Sequence, residues 1–215
     1  MSDARTAILD RIDTALRTGR IPAAAPASEA PPALEPASSG GVQPSDLRER
    51  FAAEARALGI DVFLERSPEA VRDRLASLTS GQRVLSWNRD QLPYDAGDVI
   101  DGALPGSAPR SAQAAAEVGV TGCHGAIAET GSLALISKPG CSRSASLLPA
   151  LHIALVHPRD LVFGMGEFFA ARAADIAAAS NLTFVTGPSR TADIELSLTI
   201  GVHGPARVVI IIGPE

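Results

Sequence analysis

The sequence contains few of the residues on which several kinds of chemistry depend. Its 215 residues include two cysteines, Cys123 and Cys141, which lack the Cys-x-x-Cys spacing of a metal or redox motif. Two thiolates are also too few for an all-cysteine iron–sulfur cluster. The four histidines form no His-x-x-x-His or His-Glu-x-x-His pair. We therefore expect small buried thiols and no metal site in this chain.

Other absences exclude whole classes of protein. Aromatic residues make up only 4% of the chain, so the core volume must come from Leu, Ile, Val and Ala. No apolar run reaches the roughly 18 residues that a membrane helix needs, and we expect no membrane span. The net charge of −5 disfavours nucleic acid as a partner, since phosphates usually meet a basic face. Neither a Gly-x-Gly-x-x-Gly dinucleotide loop nor a Walker motif is present.

Residues 1–20 have the pattern of an amphipathic helix. Ile8, Leu9, Ile12 and Leu16 recur at helical spacing and form one apolar stripe. Aspartates stand among the arginines of this segment, which contradicts the acid-poor composition of a transit peptide, and no signal-peptide core follows the first methionine. We therefore expect a cytoplasmic protein whose amino-terminal helix docks on its own domain or on a partner.

A sharp change of composition marks residues 21–44 as a linker. Six prolines fall in this stretch, and proline removes an amide donor and disfavours helix in the residue before it. Most of the other residues are alanine, serine and glutamate. We predict an extended linker without chemistry of its own, followed by one domain over residues 45–215.

The domain alternates helix and strand signals. Ser45 begins a predicted helix that ends near Leu58, and residues 60–64 have the composition of a strand. The Ser-Pro-Glu sequence at 67–69 predicts a helix start, because it supplies a cap, a first-turn proline and a first-turn acid. Residues 83–87 are the next predicted strand. Strand, helix and strand at this spacing indicate a βαβ unit with parallel strands, hence an α/β fold.

The remaining elements continue this alternation. Predicted strands occupy residues 99–100, 133–136, 151–156, 182–186 and 207–212. Predicted helices occupy residues 111–118 and 167–180, and another opens after Gly187. The short apolar runs, bounded by glycine and polar residues, are typical of buried strands.

A polar turn, Glu129-Thr130-Gly131-Ser132, lies between two apolar strand signals. A carboxylate, two hydroxyls and a glycine between buried strands are one arrangement by which folds present chemistry at a sheet edge. The glycine permits positive φ or the close approach of a ligand to the backbone. A plain hairpin with a solvated Glu129 fits the pattern equally well, and the residues alone leave both interpretations open.

A second polar constellation begins at Gly187. Glycine, proline and hydroxyl residues at a strand-to-helix junction would leave amides free for a carboxylate or phosphate, with Arg190 as a clamp. Plain capping of the helix by Ser189 or Thr191 is the alternative. Asp193 and Glu195 would oppose an anion in the first turn, and this leaves the charge of the ligand open.

Two further loops contribute candidate residues. His203 lies in a glycine-flanked turn and is a better functional candidate than His152, which lies inside an apolar strand. Arg143 belongs to the polar loop 137–144, which has two cations and several hydroxyls. Such a loop can hold an anion, although its composition is more often that of a solvated turn.

Three of these motifs together resemble the LUD-domain family. They are Ala128-Glu129-Thr130-Gly131, then Gly187-Pro188-Ser189-x-Thr191-x-Asp193-Ile194-Glu195, then Gly201-Val202-His203-Gly204-Pro205. The amino-terminal helix, the proline-rich linker and the following domain also fit, so the resemblance covers most of the chain. It implies a fold similar to the NagB/RpiA/CoA-transferase group, an α/β sheet with helices on both faces.

The resemblance also implies a function, growth on L-lactate. In that system three proteins oxidise L-lactate to pyruvate, and the other two carry the iron–sulfur chemistry. We therefore expect a subunit without a cofactor of its own, two cysteine-rich iron–sulfur partners, and a small carboxylate or other anionic ligand. On this resemblance Glu129 and Thr130 are the candidate catalytic residues. The candidate substrate-binding residues are Gly131, Ser132, Arg143, Gly187, Ser189, Arg190, Thr191, Asp193, Glu195, His203 and Gly204.

Two alternatives remain for the function. The chain could be an independent enzyme of CoA-transferase-like fold, in which Glu129 attacks an acyl, phosphorylated or folate-like substrate. Thr130, Arg190 and His203 are the candidate neighbours that would tune such a carboxylate. The chain could also be a non-catalytic scaffold whose motifs serve packing and turns, because a shared fold does not carry over a mechanism.

Overall fold

The structure, a computed structural model, divides the chain into two compact units, residues 1–35 and residues 36–215. It describes residues 2–18, 44–192 and 198–215. The first unit contains helix α1 (Ser2–Thr18), which confirms the predicted amino-terminal helix. Nearly all of the predicted linker lies outside the described residues.

The second unit contains the helices and strands of the predicted domain. Its described helices are α2 (Pro44–Ala57), α3 (Pro68–Thr79), α4 (Arg110–Ala114), α5 (Ser144–Leu147) and α6 (Met165–Ala178). Its described strands are β1 (Asp61–Leu64), β2 (Val84–Ser86), β3 (Leu104–Pro105), β4 (Val118–Thr121), β5 (Gly125–Ile127), β6 (Ser132–Ser137), β7 (Leu151–Val156), β8 (Leu161–Val162), β9 (Asn181–Val185), β10 (Arg190–Ala192), β11 (Leu198–Ile200) and β12 (Arg207–Ile212). Among the residues described, no helix is long and apolar enough to cross a membrane.

The main sheet has six parallel strands in the order β1-β12-β7-β4-β2-β3. Successive side chains of a strand point to opposite faces. Accordingly, Val209 and Ile211 of β12 pack in a cluster with Leu75 of α3. Ile210, between them, packs in a second cluster with Phe51 of α2. Helices therefore cover both faces, and the predicted α/β fold is confirmed.

A smaller sheet, in the order β8-β5-β6-β9, carries the polar turn that the sequence singled out. Strands β5 and β6 form an antiparallel hairpin with the turn at its tip. Phe168 of α6 packs against Ala134 and Ile136 of β6, whereas Leu133 faces the cluster that contains α2. The hairpin is therefore held between α6 and the body of the domain.

Several local predictions are confirmed. The Ser67 side-chain oxygen accepts a hydrogen bond of 3.1 Å from the Ala70 amide, which is the cap expected at the start of α3. The strands predicted at 151–156 and 207–212 occupy those residues. The predicted βαβ strands β1 and β2 are parallel members of one sheet, but β12, β7 and β4 lie between them.

Two predictions between β2 and β4 differ from the structure. The strand predicted at 99–100 is absent from this described region, where Pro93–Val99 forms a 3₁₀ segment and β3 follows at Leu104–Pro105. Tyr94 and Asp95 there have positive φ, which a strand excludes. The helix predicted at 111–118 ends at Ala114, because the residues from Val118 onward pair with β2 and β7 in the sheet.

The helix predicted after Gly187 is also wrong. Residues 190–192 form strand β10, which pairs antiparallel with β11. Ile194, Leu196, Leu198 and Ile200 alternate with polar residues in the sequence, and this is the period of a strand. Among the residues described after Gly187, there is therefore neither a helix dipole nor a set of free first-turn amides to hold an anion, and Ser189 and Thr191 do not cap a helix.

Candidate functional site

A cavity of about 440 Å³ lies at the carboxyl ends of the neighbouring strands β2, β4 and β7. Trp87 follows β2, Cys123 and His124 follow β4, and Arg159 and Asp160 follow β7, and all five line it. Open α/β sheets bind ligands at this edge. Its volume is also within the range of small-molecule sites. We call it the strand-end cavity and regard it as the candidate site.

Three cations line the strand-end cavity: Lys138, Arg159 and Arg172. Lys138 is the single lysine of the chain. Arg172, on α6, donates from Nε to the His124 carbonyl oxygen over 3.1 Å and pairs with Asp160 over 3.2 Å. Between residues that the structure describes, neither Lys138 nor Arg159 forms an ion pair. Two cations can therefore meet an anionic ligand, while Arg172 holds the wall together.

His124 contributes a neutral hydrogen-bond donor to the cavity. Its Nδ1 accepts a hydrogen bond of 3.1 Å from the Ile136 amide, so the proton of the neutral ring is on Nε2. Burial, together with the nearby Lys138 and Arg172 charges, lowers the pKa of His124 to about 4. The ring also contacts Trp87, with 5.1 Å between ring centroids. At neutral pH His124 can therefore donate to a ligand oxygen without adding charge.

The other titratable groups of the cavity do not supply an activated nucleophile. Burial raises the pKa of the Cys123 thiol well above its usual range. Burial likewise raises the pKa of Cys141, which lies outside this cavity, to about 11, and both side chains remain thiols at neutral pH. Burial raises the pKa of Asp160 as well, and Arg159 and Arg172 offset that rise only in part. Among the described residues no cluster of His, Cys, Asp and Glu side chains could hold a metal ion.

The structure places Glu129 and Thr130 elsewhere, exposed at the tip of the β5–β6 hairpin. The Thr130 hydroxyl donates to Ser132 Oγ over 2.9 Å, and Ser132 Oγ lies 2.8 Å from Thr186 Oγ1. Gly131 has a φ of 64°, and a Cβ there would lie 2.5 Å from the Ala55 amide nitrogen of α2. The close approach that requires glycine is thus an approach to α2.

The other two motifs meet beside this turn. The Ser189 amide donates to the Pro205 carbonyl over 2.9 Å, and the Gly201 amide donates to the Ser189 carbonyl over 2.9 Å. The Arg190 guanidinium donates to the Leu58 carbonyl at the end of α2 over 2.9 Å. Because Thr186 contacts the turn and also precedes Gly187, the three motifs form one continuous region around the end of α2. We call it the motif cluster.

Several predicted site residues have other surroundings. A Cβ on Gly187 would lie 3.4 Å from the Leu58 carbonyl, and a Cβ on Gly204 would lie 3.3 Å from Ser189 Cβ. His203 is exposed in the turn before β12. Arg143 lies apart, with Lys138 on the wall of a separate polar depression. Of the others, Thr191 is described only as part of β10, and Asp193 and Glu195 lie outside the described residues.

The motif cluster and the strand-end cavity occupy opposite ends of the β5–β6 hairpin. His124 precedes β5 and Glu129 follows it, and the three residues of β5 alone span about 10 Å. Sequence reasoning missed the cavity residues, among them Trp87, Lys138 and Arg172. Trp87 ends the strand predicted at 83–87 and Asp160 lies shortly after the strand predicted at 151–156, so the carboxyl ends of the predicted parallel strands would have indicated both residues. Arg172 has no such signal, because only the packing of α6 brings it to the cavity.

Comparison with known proteins gives the family of this fold. The LUD domain model matches residues 103–212. The lactate utilization protein C of an Exiguobacterium species is 31% identical over 181 residues, which cover 78% of each chain. The chain belongs to the LUD domain family. The proteins of the same name from Halalkalibacterium halodurans and Bacillus subtilis align with this LUD protein over about half its length, at 39% and 38% identity. Those alignments cover 45% of this chain and, respectively, 44% and 42% of the relatives.

A solved structure supports the fold of this LUD protein independently. The crystal structure of a DUF162 family protein from Deinococcus radiodurans superposes with a TM-score of 0.66 at 24% identity. The match covers 80% of this chain and 99% of the other. At that identity the similarity establishes the shared architecture, which is the one that carries the strand-end cavity.

Proposed function

We propose that this LUD protein acts in lactate utilization as the carboxylate-binding subunit of an L-lactate-oxidising system in the cytoplasm. Relatives named lactate utilization protein C support the biological role. The observation that carries the molecular role is the strand-end cavity, where Lys138 and Arg159 have no partner ion among the described residues. A small carboxylate, lactate or its oxidation product pyruvate, matches that charge and is held by charge-assisted hydrogen bonds.

Different side chains around the cavity bind different groups of such an acid. Lys138 and Arg159 bind the carboxylate, while the Nε2 proton of His124 bonds the oxygen on the neighbouring carbon. Asp160 keeps Arg172 in place, so that the wall is rigid before the acid arrives. Oxidation of lactate to pyruvate releases two electrons and two protons. In this proposal the electrons pass to two iron–sulfur partner proteins, and this chain presents the acid to them.

The test is an anaerobic pull-down of the tagged chain from its own cells grown on lactate. Absorbance and mass spectrometry identify the partners, and lactate-dependent dye reduction measures activity. We expect a brown eluate with two cysteine-rich proteins. Lys138→Ala should lower its activity about tenfold or more, the usual cost of losing one charge-assisted hydrogen bond. The control is Arg207→Ala, which removes an exposed arginine that pairs with Asp61 at the opposite edge of the sheet.

A second candidate function is supported by the exposure of Glu129 at the tip of the hairpin. In an independent enzyme of acyl-transfer type this carboxylate would be the nucleophile. The isolated chain would then turn over an acyl substrate, and Glu129→Gln would abolish that turnover. If Glu129→Gln instead leaves the lactate-oxidising eluate fully active while Lys138→Ala does not, the strand-end cavity is the site. If neither change alters activity, the chain is a scaffold.

A further inference from the structure

We propose that the acid site has a second lobe and that its preferred ligand is a 2-hydroxy acid with a side chain longer than the methyl group of lactate. The second lobe is a cavity of about 420 Å³ beside the strand-end cavity. This inference rests on the proposed function, since it takes the strand-end cavity to hold the acid group. It extends that function by naming the ligand class.

The two cavities are direct neighbours. Trp87, Asp90 and Leu92 line both of them. Beyond this shared wall the second cavity is bordered by the apolar residues Ile100 and Ala103. Lactate occupies roughly 100 Å³, a few water volumes, and therefore fills only a fraction of the strand-end cavity alone. In the proposed arrangement a longer acid reaches past the shared lining residues and occupies the second cavity as well.

Ser86 provides an independent indication that the second cavity receives a ligand. It ends β2, its side chain is 3% exposed, and it lines the second cavity. Its hydroxyl oxygen has no hydrogen-bond partner in the structure. Buried polar atoms are almost always paired, so an orphan hydroxyl at a cavity wall is expected where a ligand completes the bond.

The charges of the two cavities determine which end of the ligand lies in which cavity. In the second cavity Arg89 is neutralised by Asp98 over 2.8 Å and by Asp101 over 3.1 Å. Of these two cavities, Lys138 and Arg159, which have no partner ion among the described residues, line the strand-end cavity and not the second one. The carboxylate therefore binds there, and the uncharged side chain extends into the second cavity.

Asp90 determines what can cross the shared wall. Its carboxylate accepts a hydrogen bond of 2.8 Å from the Gln91 side chain, and the residue lines both cavities. An anionic group passing it would be repelled, whereas a hydroxyl can donate to it. A 2-hydroxy acid has its hydroxyl between the carboxylate and the side chain, which is the position that this wall requires.

The experiment compares L-lactate with L-2-hydroxyhexanoate on the full chain. Trp87 is the only tryptophan in the sequence and lines both cavities, so its fluorescence reports binding in either, with calorimetry as the second readout. We expect L-2-hydroxyhexanoate to bind about tenfold tighter or more, because each additional buried methylene strengthens binding. Ala103→Phe should fill the second cavity and bring the ratio of the two affinities close to one.

Two further variants keep the result interpretable. Ala103→Val is a milder filling that should lower the ratio in part, even if the phenylalanine variant fails to fold. Ala114→Phe places the same ring on the exposed side of α4, outside both cavities, and should leave the ratio unchanged.

Failure of this inference can be told apart from failure of the proposed function. Equal affinities for the two acids, with no effect of Ala103→Val, would overturn the second lobe and leave the lactate site standing. If neither acid binds, or if Lys138→Ala weakens neither, the acid site itself is wrong and the second lobe fails with it.

Discussion

The two ends of the β5–β6 hairpin differ in how their polar groups are used. At the tip, the hydroxyls of Thr130, Ser132 and Thr186 bond to one another, and Gly131 lies against α2. At the other end, Lys138 and Arg159 of the strand-end cavity have no partner ion among the described residues, and His124 keeps one ring proton for a ligand. The recognisable motif is largely satisfied by its own fold. The capacity to bind lies where the sequence shows no motif.

This contrast suggests how a motif and a site can separate. Glycine against a helix backbone and a chain of hydroxyls are strict packing requirements, and they produce a recognisable sequence pattern. A binding cavity needs only a few polar and charged side chains that converge from separate strands. The residues that line the strand-end cavity are spread along the chain from Trp87 to Arg172. Packing at the hairpin tip and ligand binding at the cavity can be tested separately.

The largest effect is expected from His152, on strand β7 of the main sheet. Its side chain is fully buried, its Nε2 lies 2.9 Å from Thr121 Oγ1, and burial lowers its pKa to about 4. Below the ordinary value of 6.5 the unfolded chain binds a proton that the folded chain cannot bind. The free energy of unfolding should therefore fall by about 3 kcal/mol between pH 6.5 and pH 4 and be constant above that window.

Denaturant titrations at pH 7 and pH 4.5 measure this loss. In His152→Leu the difference between the two pH values should shrink, whatever the variant's absolute stability. His124 contributes in the same direction, because its folded pKa is also lowered to about 4. An equal pH dependence in wild type and His152→Leu would contradict the assignment.

The next largest effect is expected on stability, and it tests whether the residues of the motif cluster serve packing. Gly131 and Gly81 both have positive φ, but a Cβ on Gly131 would meet the Ala55 amide nitrogen at 2.5 Å, whereas a Cβ on Gly81 would meet nothing within 4 Å. Both alanine variants carry the same backbone strain. Gly131→Ala should therefore be less stable than Gly81→Ala by about 2 kcal/mol, the cost of overpacking. If the two variants unfold at the same denaturant concentration, the close approach to α2 is not what requires glycine.

The smallest effect is expected on the affinity of the cavity for lactate, through the ring proton that His124 donates. Since its folded pKa is about 4, the affinity for lactate should be constant from pH 7.5 to pH 5.5. His124→Leu should weaken binding about tenfold through the lost hydrogen bond, and His124→Gln, which retains an N–H donor, should restore part of it. An affinity that rises as pH falls through 6.5 would mean that the charged ring binds the acid.

Much of the fold could be predicted from local patterns. Short continuous apolar runs located β7 and β12, and the serine, proline and glutamate at 67–69 marked the start of α3, because caps and apolar runs depend on neighbouring residues only. The error at β10 came from weighing glycine and hydroxyl residues as a helix start over the alternation that follows them. The order of the strands could not be predicted from the sequence, because β12, which is the last strand along the chain, lies between β1 and β7.

The candidate site was the least accessible to sequence reasoning. Local patterns in the sequence were sufficient to predict an α/β domain, inert thiols at Cys123 and Cys141, and the polar turn that the structure places at the hairpin tip. Only the packed structure decided that this turn is held by its own neighbours and that Lys138, Arg159 and His124 converge on one cavity. Short-range patterns determine helices, strands and turns, because those depend on adjacent residues. A site assembled from three strand ends and a distant helix depends on contacts that no stretch of sequence contains.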